Sequence, residues 1–302
     1  MPETNETRCG FVALVGAPNA GKSTLLNRLV GEKVSIVSPK VQTTRTQIRG
    51  ICVRGDAQVI FVDTPGIFEP RRRLDRAMVD AAWRGAGDAD LVVLLIDVSR
   101  KTIGADARRI IDGLKTAGRQ AILAMNKVDL VKREDLLPRT AELNATGIFT
   151  DTFMISAENG SGCDDLLAHL AERMASGPWL YPEDEISDLP ERLLAAEVTR
   201  EQVYNQLHQE LPYAITVETD RWEEKDDGSA RIEQTVYVQR DSQKMIVLGK
   251  RGQQIKAIGA AARAELERLL DRRMHLFLHV KVRENWVDDP ERYRDWGLDW
   301  KA

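Results

Sequence analysis

The stretch "GAPNAGKSTLLN", residues 16–27, follows the apolar run "FVALV" and opens a segment with helical periodicity. Gly16 and Gly21 bracket the spacing G-x-x-x-x-G-K-S, closed by Lys22 and Ser23. Glycines carry no side chain, so the loop Gly16, Ala17, Pro18, Asn19, Ala20, Gly21 is able to turn its available backbone N–H groups inward around an oxyanion. After Thr24, the residues Leu25, Leu26, Leu29 and Val30 recur at helical spacing, so the loop ends at a helix N-terminus whose partial positive charge also favours phosphate. Lys22 is placed to reach the terminal phosphates and Ser23 to reach the magnesium ion that travels with them.

Such a strand, loop and helix is one unit of an α/β sheet, and the rest of the first half repeats it. The runs "FVALVG", "AQVIFVD", "DLVVLLIDV", "QAILAMN" and "TFMIS" alternate with helical stretches after residues 21, 73, 104, 134 and 162. This pattern predicts a doubly wound, mostly parallel sheet. "QIRGICVRG" and "DAQVIFVD", joined at Gly55-Asp56, read as one antiparallel hairpin within it. A domain over 8–175 is therefore expected, then a linker at 176–191, where "SGPWLYPEDEISDLPE" brings three prolines and a cluster of acids. A second domain over 192–302 shows a helix, a hairpin through "EKDDGSA", two helical pieces around Gly249 to Gly252, the alternating strand "MHLFLHVKV" and a tail.

With 302 residues and 43% hydrophobic content, the chain is long enough for two cores. Cys9, Cys52 and Cys163 lie far apart with no nearby histidine, which argues against a zinc site or a disulfide framework and suits a reducing cytosol. No apolar run approaches the ~18 residues of a membrane span, and residues 1–8 are short and polar. The expectation is a soluble, cytoplasmic monomer, with peripheral attachment to the cytoplasmic face of the inner membrane left open. A net charge of -4 gives no global attraction to nucleic acid, so RNA binding requires a local basic face.

The remaining parts of a nucleotide site follow in order along the first domain. "DTPG", Asp63, Thr64, Pro65 and Gly66, ends an apolar strand. Asp63 is able to hold magnesium through water there, while the Gly66 N–H meets a terminal phosphate. "NKVD", with Asn126, Lys127 and Asp129, ends a later strand, and the Asp129 carboxylate offers two acceptors to the N1–H and 2-amino group of guanine. Adenine lacks both donors, and a site built on such bonds rejects the wrong ligand by roughly 10⁴-fold or more. "SAE", Ser156, Ala157 and Glu158, follows the next strand, where the Ala157 N–H faces the guanine oxygen.

Four motifs in this order resemble GTPases of the translation-factor-related class and, more closely, the Era family. The resemblance spans nearly the whole chain, through "YPEDEISD", "AAEVTREQVY", "ELPYAITVE" and "KVRENWVDD". It implies that "TTR", Thr43 to Arg45, supplies the magnesium threonine, with Thr44 favoured over Thr43. It also implies that Asn19 holds a potassium ion beside the phosphates, neutralising charge on the transferred group. Lys22, Thr44 and Gly66 then form the catalytic set. Small signalling GTPases carry a water-orienting glutamine where this chain has Ile67, so slow intrinsic turnover is expected, completed by backbone groups, potassium or a partner.

In the second domain, "MIVLGKRGQQIKAIG" places Gly249, Lys250, Arg251 and Gly252 as a G-x-x-G loop between helical segments. The glycines let a nucleic-acid backbone approach while Lys250 and Arg251 meet phosphates. The arrangement resembles a KH domain of the prokaryotic type, an α+β type II fold, with Ile246, Leu248, Ile255 and Ile258 lining a groove for unstacked bases. Arg240, Lys244, Lys256, Arg263 and Arg268 supply the basic face. Trp286, Trp296 and Trp300 are read as packing of a terminal segment on this domain. The family resemblance implies that the RNA is small-subunit (16S) ribosomal RNA near its 3′ end and that the partner is the assembling 30S subunit. The alternatives are an RNA-binding adaptor gated by nucleotide without useful hydrolysis, and a membrane-associated cell-cycle GTPase.

Overall fold

In a computed structural model, residues 7–40, 43–45, 47–207, 215–284, 286 and 289–302 are described; part of the "ELPYAITVE" match lies outside them. Over these residues the chain divides into two compact units, one of Met1–Ser35, Thr44–Asp188 and Tyr293–Ala302, the other of Ile36–Thr43 and Leu189–Arg292.

In the first unit the apolar runs become β1 (Arg8–Gly16), β3 (Ala57–Asp63), β4 (Leu91–Asp97), β5 (Ala121–Asn126) and β6 (Phe149–Ile155), with β2 (Ile48–Arg54) as the hairpin partner of β3. The intervening helices are α1 (Lys22–Val30), α2 (Arg73–Asp88), α3 (Ala105–Thr116), α4 (Arg133–Asn144) and α5 (Cys163–Glu172). A two-residue strand, β7 (Ala175–Ser176), pairs antiparallel with the start of β1. The strand order is β2-β3-β1-β4-β5-β6, with the β3-β1-β4-β5-β6 pairings all parallel. Residues of β3 and β5 are buried throughout, as expected of strands covered on both faces. Parallel pairing puts the C-termini of β1, β3, β4, β5 and β6 along one edge, where the register sets Leu14 beside Asp63, Asp97 beside Asn126 and Asn126 beside Ile155. The loops after β1, β3, β5 and β6 therefore emerge together, at the edge where open α/β sheets bind ligands.

Two stretches depart from the expected boundaries. Most of the proline-rich segment lies along the first unit instead of spanning free. The buried carboxamide of Gln58 accepts from the N–H groups of Leu180 and Tyr181 (2.9 and 3.1 Å) and donates to the Tyr181 carbonyl (2.8 Å). Trp179 Nε1 donates to the Asp56 carbonyl (3.0 Å), and Ile51 N–H on edge strand β2 donates to the Ile186 carbonyl (2.9 Å). These bonds satisfy a buried amide and part of a sheet edge that would otherwise lack partners. The tail also divides: Trp286 is buried with the second unit, but in the first unit Tyr293 stands edge-on to Trp300 (4.8 Å) and the Arg73 guanidinium lies over the Trp300 ring (4.2 Å).

The second unit contains α6 (Glu191–Gln206), β8 (Thr216–Glu224), β9 (Ala230–Val238), α7 (Asp241–Leu248), α8 (Gln253–Leu270) and β10 (Met274–Val282); a short α9 (Pro290–Asp295) follows. The sheet order is β10-β9-β8, with β10 parallel and β8 antiparallel to β9. Ala196 and Val203 of α6, Val236 and Val238 of β9, Val247 of α7 and Ile258 of α8 share one core. Residues Ile36–Thr43, which the sequence places inside the first domain, group with this unit. The Val37 N–H donates to Glu201 Oε1 (2.8 Å), Arg200 Nη2 to the Thr43 carbonyl (2.6 Å), and Lys40 Nζ to the carbonyls of Tyr204 and Leu207. Two backbone groups of this segment, the Val37 N–H and the Thr43 carbonyl, thus find partners on α6 side chains, while the Lys40 side chain meets backbone carbonyls at the end of that helix.

Candidate functional site

The loop after β1 closes where sequence places it. Gly21 lies at φ +100°, and a Cβ there would stand 2.3 Å from Asn126 Nδ2, so only glycine fits. Asn19 also takes a left-handed conformation (φ 62°), which asparagine tolerates better than most residues. Lys22 is buried and its Nζ donates to the carbonyls of Gly16 (3.1 Å) and Ala17 (3.2 Å). Burial pushes its ammonium down to about 8, with the Asp63 carboxylate acting in the opposite direction.

Three oxygen-bearing side chains converge beside Lys22. Ser23 Oγ donates to Asp63 Oδ2 (2.7 Å) and lies 3.0 Å from Thr44 Oγ1. Asp63 is fully buried, and its Oδ1 has no hydrogen-bond partner. Burial raises the Asp63 carboxyl, while Lys22 and the hydroxyls of Ser23, Ser35 and Thr44 pull it down. Two hydroxyls and a carboxylate with one unsatisfied oxygen form a hard-oxygen set that suits magnesium and its bound water. Thr43 is turned elsewhere, its hydroxyl bonded to the Lys40 carbonyl and to Ser38 (both 2.8 Å), so the structure brings Thr44 and not Thr43 to this cluster.

Thr64 does not contribute its side chain to the cluster, because its buried hydroxyl donates to the Leu14 carbonyl (2.8 Å). Pro65 and Gly66 are buried, and the next residue ties this turn to the phosphate loop through Ile67 N–H to the Gly16 carbonyl (3.2 Å). The Ile67 side chain is fully buried and belongs to the same core cluster as Ala13, Val15, Ala82 and Ala86, so position 67 lies in the core.

At the base end, Asn126 acts as a rivet. Its Nδ2 donates to the Ala20 carbonyl (2.8 Å), and its Oδ1 accepts from the Ala157 N–H (3.0 Å). That N–H, expected at the guanine oxygen, is instead held by Asn126 here. Lys127 has φ 69° and pairs with Asp97 (2.7 Å), whose carboxyl this contact and Ser99 hold below the ordinary range despite partial burial. Asp129 is exposed, accepts no hydrogen bond from the described residues, and with Val128, Leu136, Ser156 and Asn159 lines a cavity of about 570 Å³. Arg28 was not marked by any motif, yet it steadies the loop after β6 through bonds to the carbonyls of Ala157 (3.3 Å) and Glu158 (2.5 Å). Its position on α1, about two turns from the phosphate loop, is the signal that sequence offered.

In the second unit the G-x-x-G loop is geometrically demanding. Gly249 has φ 67° and ψ 179°, and a Cβ would lie 2.6 Å from Gln254 Cβ; Arg251 and Gly252 are also left-handed. Lys250 and Arg251 are exposed and pair with no carboxylate among the described residues. Between α8 and β10 a cavity of about 300 Å³ is lined by Ile255, Lys256, Gly259, Arg263, Phe277 and Leu278. Ile246 is exposed, Leu248 and Lys244 are half-buried, and Arg240 is exposed. Two expectations are corrected. Ile258 is fully buried in the core and lines no groove, since it faces α6 and the sheet; Arg268 is held by both carboxylate oxygens of Glu265 (3.2 Å each), which offsets its charge.

A phosphate loop, an acidic strand end and an Asn-Lys-x-Asp turn on one sheet edge, joined to a unit bearing a G-x-x-G loop, define a GTPase with an RNA-binding module. The profile of the "50S ribosome-binding GTPase" family matches residues 11–127, and that of the KH domain matches residues 210–287. GTPase Era of Rhizobium meliloti (strain 1021) is 64% identical over 97% of this chain and 93% of its own length, and that of Caulobacter vibrioides (strain NA1000 / CB15N) is 56% identical over 98% of each. A crystal structure of Era with MgGDPNP and nucleotides 1506–1542 of 16S ribosomal RNA superposes with a TM-score of 0.91, at 38% identity over 96% of this chain and 99% of that one. An Aquifex aeolicus Era variant bound to GDP·AlF4⁻ gives 0.90 at the same identity and coverage. The chain belongs to the Era family of GTPases, and it is an enzyme that hydrolyses GTP to GDP and phosphate.

Proposed function

We propose that this GTPase binds GTP and GDP with magnesium and grips 16S ribosomal RNA near its 3′ end through its KH unit, assisting assembly of the 30S subunit in the cytoplasm. The observation that carries the nucleotide half is the convergence of Lys22, Ser23, Thr44 and the unsatisfied Asp63 Oδ1 at one end of β1 and β3. Bound magnesium neutralises charge on the terminal phosphates. Ser23 and Thr44 hold it by their hydroxyl oxygens, and Asp63 accepts hydrogen bonds from its water. Lys22 turns from loop carbonyls to phosphate oxygens, and Asp129 accepts from guanine across the base cavity. With Ile67 in the core, no side chain at that position reaches the attacking water; backbone groups, a bound partner or a potassium ion held beside Asn19, which would neutralise charge on the transferred group, would complete the site.

The RNA half is supported by Lys250 and Arg251, exposed and without a carboxylate partner among the described residues, on a loop whose Gly249 has no room for a side chain, and by the relative whose crystal structure contains a 16S fragment. Single-turnover GTP hydrolysis in potassium and in sodium, with and without that RNA, tests the reading. Faster hydrolysis in potassium is expected, and Asn19→Ala should remove most of the difference while GDP affinity is nearly retained. Equal rates in both salts would overturn the potassium assignment. Crosslinking at Lys250 in cells should recover small-subunit RNA, and recovery of protein alone would overturn the RNA assignment.

A further inference from the structure

Asp63 is gripped from a direction that no nucleotide motif supplies. Its Oδ2 accepts from Ser23 Oγ at 2.7 Å and also from Ser35 Oγ at 2.9 Å. Ser35 is 1% exposed and lies in the connection between α1 and β2. Its backbone is pinned in turn by Asn27 of α1. The Asn27 Nδ2 donates to the Ser35 carbonyl (2.7 Å), and its Oδ1 accepts from the N–H groups of Val34 and Ser35 (2.9 Å each). Asn27 stands four residues after Ser23, about one helical turn, so the helix whose N-terminus meets the phosphates also anchors this connection. All of these residues belong to the first unit.

The consequence is directional. A serine hydroxyl has one proton to donate, and both Ser23 and Ser35 spend theirs on Oδ2. Oδ1 is left as the buried acceptor without a partner, and a buried acceptor calls for a donor such as a metal-bound water. The terminal torsion of an aspartate is broad, so removing Ser35 takes away one of the two serine hydroxyls that hold Oδ2. We propose that Asn27 and Ser35 are positioning residues for the magnesium site: Asn27 fixes the Ser35 backbone, and the Ser35 hydroxyl orients the Asp63 carboxylate. Neither touches nucleotide or metal; each acts through its neighbour. The proposal rests on the magnesium reading above.

The test is the rate of release of a fluorescent GDP from the full-length protein, measured across magnesium concentrations and in EDTA. In the parent, magnesium should slow release in a saturable way; if it does not, the magnesium reading itself fails, separately from this proposal. In Ser35→Ala, the magnesium concentration that half-slows release should rise about tenfold, the lower end of the range for losing a group that orients a metal ligand. Release in EDTA should stay within about twofold of the parent, given that the phosphate and base contacts of the site are unchanged. Ser35→Thr, which keeps the hydroxyl, should restore the parental midpoint, and Asn27→Ala should shift it in the same direction as Ser35→Ala. A Ser35→Ala curve superimposed on the parent's, or one displaced equally with and without magnesium, overturns the proposal. If Asn27→Ala lowers thermal stability without moving the magnesium midpoint, Asn27 is a loop staple only and its part of the proposal falls.

Discussion

At the nucleotide site the polar side chains are held by the protein itself: Lys22 by loop carbonyls, Asn126 by Ala20 and Ala157, Asp63 by two serines. At the G-x-x-G loop, Lys250 and Arg251 stand exposed and without carboxylate partners among the described residues. The first arrangement gives each polar group a defined direction, as discrimination between bases and phosphoryl transfer require. The second presents charge on a stiff backbone turn and leaves the ligand room to adapt, as a sugar-phosphate chain requires. Substitutions in the first region should therefore abolish a particular contact, whereas those in the second should act through charge and salt.

The largest effect is expected at Asp129. Asp129→Asn offers one acceptor where two are needed, so discrimination for guanine should fall by as much as about 10⁴-fold while xanthine nucleotides gain relative affinity. Equilibrium binding of GDP and XDP measures this, and unchanged GDP affinity would break the assignment of the base cavity. Replacing Lys250 and Arg251 together by aspartate should weaken RNA binding about 100-fold or more near 0.1 M salt, and should lower the slope of log K against log salt by about two, one for each lost phosphate contact. Guanine-nucleotide affinity in the absence of RNA should be unaffected. A steep residual salt slope would place the RNA-binding charge elsewhere on the unit.

A smaller effect sharpens the contrast within the first unit. Ile67→Gln restores the side chain of signalling GTPases, yet the position is fully buried in the core cluster that holds Ala13, Val15 and Ala82. The expected outcome is a loss of roughly 1–3 kcal/mol of stability from burying an amide and no increase in single-turnover rate. A faster variant would show that the side chain reaches the nucleotide after all. The smallest effect is a proton. Lys22 has an ammonium pushed down to about 8 from 10.5, so between those values the unfolded chain binds more protons than the folded one and this group's destabilisation is relieved as pH rises. Phosphate oxygens restore its charge, so Lys22 should take up close to one proton on GDP binding near pH 9 and almost none near pH 7, once the proton released by the terminal phosphate of GDP, which titrates near pH 6, is subtracted. Affinity should fall as pH rises above about 8. Calorimetry in buffers of different ionisation heat reads the uptake directly.

Much of the site was legible because its chemistry is local. Gly16 to Thr24, Asp63 to Gly66 and Asn126 to Asp129 are short runs that end strands, and a backbone loop around a phosphate needs only neighbouring residues. Helix starts followed closely from hydrophobic periodicity, with α1, α3 and α5 opening directly after residues 21, 104 and 162 and α2 and α4 within two residues of expectation, whereas β1 and β6 begin three residues before their apolar runs. The misreadings fall where side chains meet across long stretches of chain. Ile258 shares the periodicity of Ile255, and only packing against α6 shows that it is core. The hydroxyl of Thr64 sits inside a nucleotide motif, but the carbonyl that claims it is on β1.

The sequence alone thus determined the α/β class, the order of the phosphate and guanine loops, the G-x-x-G turn and the family to which they belong, because each depends on contiguous residues and on the conformations that glycine permits. Tertiary structure alone decided that Thr44 rather than Thr43 meets Ser23, that residues 36–43 group with α6, that Gln58 fastens the proline-rich segment, and that Ser35 reaches Asp63. Those outcomes depend on buried hydrogen bonds between residues far apart in the chain. A buried polar group must find a partner, and which partner lies within reach is settled only when the strands and helices have packed.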